Sequence, residues 1–338
     1  MKINKLPKIS VVIATYNSEK TIGKCLQSIR DQDYPQEEIE IILADGGSID
    51  KTFSIVRKYN ARIIKVPSSF QNAEFNKGLG VNESKGEYIL MVDHDNILPH
   101  DKWLKKMLHP LIEDKDIVGS ETLRYHYDPK ASLLDRYFAL FGAGDPLAFY
   151  LGKADRLSYI YNEYHLAGSI KDIGDYYIVK FNKNRIPTLG ANGFLIRSDI
   201  LKKNADIRPN HFFHIDVNVD LIKKGYDKYA FIKDDIIHLT GYKSILSFLY
   251  RRKLFMEQFH FITKEERRYS VFEPRDRLKL IVFILYATTV IKPLYDSTRG
   301  FLKVKDIAWF FHPILSFVIL VIYSYVVLKK LIIGNVKF

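Results

Sequence analysis

Tyr88-Ile89-Leu90-Met91-Val92-Asp93-His94-Asp95 decides the fold class of this 338-residue chain. The apolar run Tyr88 to Val92 has the length and composition of a buried strand. It ends in two carboxylates one residue apart. At the tip of a strand, such a pair suits a hard divalent cation that also holds a phosphate. Alternation along the strand sends His94 away from Asp93 and Asp95, so His94 reads as structural.

The segments before it repeat one theme. Ile9 to Ala14 reads as a buried strand, followed by the loop Thr15-Tyr16-Asn17-Ser18, with Ser18 placed to cap a helix running to about Arg30. Ile39 to Ala44 is a second strand, ending in Asp45-Gly46-Gly47-Ser48-Ile49-Asp50, and a helix follows to about Tyr59. Arg62 to Val66 is a third strand, Asn72 to Ser84 a helix, and the strand ending at Asp93 the fourth. Strands alternating with helices predict right-handed βαβ units in a mostly parallel α/β sheet. Ligands then sit beyond the carboxyl ends of the strands, so the Asn17 loop, Asp45 and Asp93/Asp95 should converge on one crevice.

Further along, residues 125–185 are rich in Tyr, Gly and Asp and read as an acceptor-side insertion of loops and short helices. Leu189 to Arg197 returns to a glycine loop and a strand. His214-Ile215-Asp216 leads into a helix from about Val217 to Lys224, closed by Gly225. Phe231-Ile232 and Ile236-Ile237-His238 read as short strands.

Composition separates the two ends of the chain. The net charge is +12, and residues 241–338 hold 17 Lys/Arg against 7 Asp/Glu while the preceding residues hold 34 against 32. A near-neutral N-terminal part followed by a basic, apolar tail points to an anionic membrane surface. No helix-turn-helix, RNA-recognition or zinc-finger pattern is present, so no nucleic-acid partner is expected. The single cysteine, Cys25, excludes an intramolecular disulfide and reads as a core residue. No signal peptide opens the chain, so the N-terminal part is expected on the cytoplasmic side of the cell membrane.

The domain reading is therefore 1–240 for the α/β part, 241–277 for a basic linker, and 278–338 for two membrane-associated helices. Leu278 to Val290 is short for a span. Ile307 to Leu328 is long enough, with Trp309 at one end and Tyr323, Tyr325 and Lys329-Lys330 at the other. A spanning hairpin would place Lys292, Arg299, Lys303 and Lys305 outside, against the positive-inside tendency. One span with an interfacial or re-entrant segment, or a wholly monotopic hairpin, avoids that conflict.

Taken together, Ile9 to Asn17, Asp45 to Asp50, Asp93-His94-Asp95, Gly190-Ala191-Asn192-Gly193-Phe194 and Asp216 resemble the family 2 glycosyltransferases of the GT-A fold over about residues 8–240. The resemblance implies an inverting transferase that uses a nucleotide-diphosphate sugar, most often a UDP-sugar, and Mg²⁺ or Mn²⁺. Glycosyl transfer must neutralise a departing diphosphate, which a cation held by Asp95 does, with Asp93 directed to ribose or metal. By the same resemblance Asp45 binds the base, Thr15, Tyr16 and Glu19 line the nucleotide pocket, and His238 is a metal or phosphate ligand. Asn192 and Gly193 lie on the sugar side. Asp216 is the base that deprotonates the acceptor. Ile215 stands where the family usually has an acidic residue, a departure for which His214 could compensate. A Gln-x-x-Arg-Trp signature is absent. Arg251 and Arg252 stand in its place, suited to clamp diphosphate or to meet lipid headgroups.

The leading expectation is transfer to a lipid-linked acceptor, with polyprenyl phosphate itself as an alternative nucleophile. A non-catalytic nucleotide-sugar-binding subunit of a glycan assembly complex is a third reading. A nucleotidyltransferase would carry a Gly-rich basic loop after the first strand, which Thr15 to Glu19 is not.

Overall fold

The computed structural model describes residues 6–186, 188–190, 192–258, 267–270 and 272–333. Ala191 of the glycine loop, residues 259–266 and 271 of the expected linker, and residues 334–338 of the tail lie outside the described residues. The chain divides into two compact units. The first runs to His126 and resumes over Ala167–Leu239; the second takes Tyr127–Leu166 and the chain from Thr240 on.

The first unit is built on one mixed sheet. Its strands are β1 (Ile9–Thr15), β2 (Ile39–Asp45), β3 (Arg62–Lys65), β4 (Tyr88–Asp93), β5 (Asn96–Ile97), β6 (Gly119–Tyr125), β7 (Ser169–Asp172), β8 (Tyr176–Lys180), β9 (Phe194–Arg197) and β10 (Lys228–His238). The order is β3-β2-β1-β4-β9-β6-β10-β8-β7, with β5 paired to the end of β10. The first four strands are parallel, in a register that aligns Thr15 with Asp45 and Ala14 with Asp93. Their carboxyl ends therefore share one edge, as the βαβ reading predicts. All seven residues of β1 are buried, and so are Tyr88 to Val92 of β4, which is why both read as continuous apolar runs.

Helices α1 (Ile22–Arg30), α2 (Thr52–Val56), α3 (Ala73–Glu83), α4 (Trp103–Glu113), α7 (Ser198–Asn204) and α8 (His214–Lys223) belong to this unit. α1 buries Ile22, Cys25, Leu26 and Ile29, the i, i+3, i+4, i+7 stripe of a helix packed on one face. Asn72 caps α3, its Oδ1 accepting from the Glu74 N–H at 2.8 Å.

Four local expectations change. Ser18 does not cap α1 through its side chain; its carbonyl accepts from the Thr21 and Ile22 N–H groups, and its hydroxyl meets that of Thr15. α8 begins at His214 rather than Val217, so Asp216 is a first-turn residue and Phe213 is the N-cap. The two short strands at 231–238 are one strand, β10, whose register shifts between Ile232 and Asp235. The polar triplet Lys233-Asp234-Asp235 sits at that irregularity and hid the continuity. The segment read as loops and short helices also contains the hairpin β7–β8. All four residues of β7 are exposed, which leaves no apolar alternation to read.

The second unit is helical: α5 (Leu133–Phe141), α6 (Pro146–Leu151), α9 (Ile245–Glu257), α10 (Arg277–Thr289), α11 (Ile291–Lys303) and α12 (Phe311–Ile333). Its main core gathers Tyr137, Phe141, Phe248, Trp309, Leu315 and Ile319. The aromatic residues of α5 and α6 are thus core material of this unit. α11, read as a basic connection between two apolar segments, is a helix, with Pro293 in its first turn where no N–H is needed. The stretches Pro274–Thr289 and Ile291–Lys303 meet at 80°. Ile307–Ile332 is long and apolar enough to cross a membrane.

Candidate functional site

The loops after β1 and β2 are tied to each other. Asn17 adopts a left-handed conformation (φ 48°) that Asn tolerates better than most residues. Its N–H donates to Ser48 Oγ at 2.8 Å and its Oδ1 accepts from the Ile49 N–H at 2.9 Å. Asp45 is fully buried, and its carboxylate closes its own turn. Oδ1 accepts from the Gly47 and Ser48 N–H groups at 2.9 and 2.7 Å, and Oδ2 accepts from the Ser48 hydroxyl at 2.5 Å. Three of roughly four acceptor directions are thereby used, so Asp45 shapes the loop before it can meet a ligand. Glu19 braces the same loop: its Oε2 accepts from the Lys51 N–H, and its N–H donates to Asp50, both at 3.1 Å. Thr15 is buried, whereas Tyr16 is 45% exposed.

Asn76 of α3 lies beside this loop and was not singled out from the sequence. A Cβ at Gly46 would stand 3.2 Å from its Nδ2. Asn76 is 1% exposed, and neither side-chain polar atom has a hydrogen-bond partner among the described residues. A buried amide left unpaired costs about 1–3 kcal/mol. Asn76→Leu is therefore expected to raise the thermal midpoint by a few degrees. It should also shrink the additional rise produced by a bound nucleotide. A variant that is stabilised with an undiminished nucleotide response would show that the amide meets no ligand.

Asp93 and Asp95 part company. Asp93 Oδ1 pairs with the Lys77 ammonium at 2.8 Å, and its N–H donates to Asn96 Oδ1 at 2.9 Å. Asp95 turns toward the end of β10, where its carbonyl accepts from the Leu239 N–H at 2.9 Å and its Oδ2 stands 3.7 Å from His238 Nε2. Its Oδ1 is buried without a hydrogen-bond partner among the described residues. Burial alone would raise the Asp95 pKa, but the His238 imidazole, with His94 behind it, brings it below the ordinary carboxylate value. His94 itself is bonded to the Thr21 hydroxyl through Nδ1 at 2.9 Å, in keeping with a structural role.

Among the described residues no three His, Cys, Asp or Glu side chains form a ready-made metal cluster. Asp95 and His238 present a two-ligand arrangement, with Asp93 committed to Lys77. That fits a cation of the Mg²⁺ or Mn²⁺ type, which takes one or two protein ligands and completes its shell with waters and phosphate oxygens.

Asn96 and Tyr125 connect this centre to the glycine loop. Asn96 Nδ2 donates to Asn192 Oδ1 at 3.1 Å, and Asn192 Nδ2 donates to the Tyr125 hydroxyl at 2.8 Å. The Tyr125 ring lies 5.3 Å from the His238 ring. Gly190 and Gly193 hold φ values of +104° and +84°; a Cβ at Gly190 would come within 2.7 Å of the His214 carbonyl, and one at Gly193 within 2.4 Å of Ile236. Only glycine fits both the backbone conformation and the close approach. The loop therefore packs directly on the start of α8, which carries Asp216.

Asp216 is 1% exposed in the first turn of α8. Its neighbour His214 donates its N–H to Glu74 Oε2 at 2.9 Å and holds Nδ1 at 2.9 Å from both Glu74 oxygens. Glu74 in turn stands 3.5 Å from Lys77. Burial would raise the Glu74 pKa, but His214 and Lys77 together hold it far below the usual carboxylate range. Lys77, whose burial alone would lower its pKa, is kept well above its ordinary value by Asp93 and Glu74. Asp93, Lys77, Glu74 and His214 thus form one connected chain of polar contacts from β4 to α8. His214 supplies no acidic substitute for Ile215; Glu74 brings a carboxylate to the same helix start from α3. The available sequence signal was weak: α3 buries Glu74, Asn76 and Lys77 and shows no clean apolar stripe.

Arg251 and Arg252 belong to the second unit, on α9, where Arg252 lies 4.8 Å from the centroid of Phe255 and Arg251 lies 5.6 Å from it.

Residues 10–163 match the family model described as Glycosyl transferase family 2. The chain is 28% identical over 137 residues to glycosyltransferase AglE of Haloferax volcanii, covering 39% of this chain and 44% of that one. It is 36% identical over 90 residues to a protein of Methanococcus voltae, covering 25% and 27% of the two chains. That relative is named dolichyl N-acetyl-alpha-D-glucosaminyl phosphate 3-beta-D-2,3-diacetamido-2,3-dideoxy-beta-D-glucuronosyltransferase. The match thus spans under half the length of either relative. Among solved structures, mannosyltransferase PcManGT of Pyrobaculum calidifontis, in complex with GDP-Man and Mn²⁺, superposes with a TM-score of 0.53 at 14% identity, over 98% of this chain and 89% of that one. The likeness is one of fold: a GT-A-like mixed sheet with flanking helices.

Proposed function

We propose that this chain, a member of glycosyl transferase family 2 through residues 10–163, transfers a sugar with inversion from a nucleotide-diphosphate sugar to a lipid-linked acceptor at a membrane. The observation that carries the reading is the Oδ1 of Asp95 beside His238, buried and without a hydrogen-bond partner among the described residues, at the carboxyl edge of the sheet. Asp95 and His238 would hold Mg²⁺ or Mn²⁺, which would neutralise the charge of the departing diphosphate. Tyr16 and Asn76 bind the nucleoside, on a loop frame set by Asn17, Asp45 and Glu19. Asn192, held by Asn96 and Tyr125, orients the sugar. Asp216 takes the proton of an acceptor hydroxyl. Arg251 and Arg252 are assigned to diphosphate or to lipid headgroups. The lipid-linked acceptor is supported by the dolichyl-linked acceptor in the name of the Methanococcus voltae relative and by the apolar helix Ile307–Ile332. The α/β unit is assigned to the cytoplasmic face of the cell membrane, in keeping with the basic tail.

The test is a thermal-shift panel of UDP, GDP, TDP and CDP, each with Mn²⁺, Mg²⁺ or EDTA, on the full chain in detergent. One nucleotide, with UDP favoured, should raise the midpoint only when metal is present, because a ligand selective for the folded state adds apparent stability. Asp95→Ala should abolish that rise while leaving the ligand-free midpoint intact. A rise that is equal in EDTA, or that survives in Asp95→Ala, would remove Asp95 from the site. No rise with any nucleotide would favour a non-catalytic role.

A further inference from the structure

We infer that the second unit docks onto one leaflet of an anionic bilayer as a monotopic module, with α12 lying along the interface rather than crossing it. The inference deepens the membrane part of the proposed function and rests on it; the sugar-transfer part does not enter. α12 has two unlike faces. Its exposed face is the apolar one: Ile314, Phe317, Val321, Tyr325, Leu328 and Leu331 recur at helical spacing and are 48–75% exposed. Its covered face carries the polar groups. His312 is fully buried, with Nδ1 2.8 Å from the Tyr137 hydroxyl and Nε2 3.1 Å from that of Tyr150. Tyr323 bonds to Asp145 and Lys329 stands 3.7 Å from Glu257, while Tyr325, on the exposed face, lies 5.4 Å from the Lys253 ammonium.

These contacts run from residue 312 to residue 329, about 26 Å of helix. A span needs roughly 30 Å of hydrocarbon surroundings in which no loop or unsatisfied backbone is exposed to lipid. α12 is instead flanked along its length by the short helices α5, α6 and α9, by their loops, and by the charged residues Lys253 and Glu257. Helices α10 and α11 have 13 residues each, about 20 Å, and meet at 80°, so neither they nor the pair form a straight span. Both helices also expose apolar side chains: Leu278, Ile281 and Leu285 on α10, and Ile291, Leu294 and Leu302 on α11, are 49–73% exposed. Lys292 and Arg299 flank Tyr295 on α11, at 5.1 and 5.8 Å from its ring. An apolar face edged by cations and an interfacial aromatic matches an anionic lipid surface in both hydropathy and charge.

The test uses the full chain. Cys25 is its only cysteine and is fully buried, with its thiol pushed far above the ordinary range by that burial, so the background is unreactive. Lys305→Cys and Lys330→Cys, at opposite ends of the apolar helix, are treated with a membrane-impermeant maleimide in sealed inside-out and right-side-out cell membrane vesicles. Both should react in the same orientation. Reaction of the two in opposite orientations would overturn the inference while leaving membrane attachment and sugar transfer standing. The purified protein should also float with equimolar phosphatidylcholine–phosphatidylglycerol vesicles at least about tenfold more tightly than with phosphatidylcholine alone. Phe317→Asp/Val321→Asp should abolish flotation at an unchanged melting midpoint. Failure of the parent protein to float, or flotation of the double variant, would equally overturn it.

Discussion

Lys77→Met is expected to destabilise the first unit by about 3–5 kcal/mol, the cost of removing one partner from a buried ion pair. The ammonium is 5% exposed and stands between two carboxylates, at 2.8 Å from Asp93 and 3.5 Å from Glu74. Methionine fills much of the same volume, so packing changes little and the effect isolates the charge. At about 2–4 °C per kcal/mol for a unit of this size, the thermal midpoint should fall by about 6–20 °C. The pH dependence separates charge from packing. Glu74 has a depressed folded pKa, so its stabilising contribution is present above the unfolded carboxylate value and is lost as pH falls through the folded one. Without Lys77 that folded pKa moves up, and Glu74 accepts a proton at a higher pH. The gap between parent and variant should therefore narrow as pH drops below about 4.3. A gap that stays constant between neutral and acid pH would show that Lys77 acts through packing alone.

The same residue marks the limit of what the chain discloses before it is folded. β1, β2 and β4 were legible because each is buried along most of its length, and such strands are written as largely apolar runs. The convergence of Asn17, Asp45 and Asp93 followed from parallel register alone. Lys77 and Glu74 were not legible, since a Lys and a Glu three apart on a helix usually describe a solvated face. Only the fold reveals that this face of α3 is covered. Asn96 and Tyr125 escaped notice for a related reason: their role is to connect β5, β6 and the glycine loop, elements distant in sequence. α8 was placed three residues late because neither Phe213 nor His214 is a helix-start residue. Glu74 accepting the His214 N–H does from outside what a cap would do from within. β10 was split in two because a bulge inserts polar residues without ending the strand.

Asp216→Asn is the second large effect, and its size identifies the acceptor. Asn keeps the shape of the side chain in the first turn of α8 but removes its ability to take a proton. If the nucleophile is a sugar hydroxyl, that proton must leave in the transition state, and loss of a positioned base should lower kcat by about 10²–10⁴-fold. If the nucleophile is a polyprenyl phosphate, it is already ionised and needs no base. Loss should then stay within about tenfold, reflecting positioning only. The local chemistry gives the question weight. Ile215 stands where the family resemblance leads to the expectation of a second acidic group, and Glu74, bonded to His214 at the same helix start, is held ionised by His214 and Lys77. It is therefore committed to those partners and is not itself a proton acceptor. The proposed hydroxyl acceptor therefore predicts the large effect. The measurement is single-turnover transfer by the parent and Asp216→Asn to two acceptors, a lipid-linked saccharide and the polyprenyl phosphate alone. A loss under tenfold with the saccharide would remove Asp216 from the role of base. Measurable transfer to the phosphate that Asp216→Asn leaves intact would assign the enzyme to that acceptor instead.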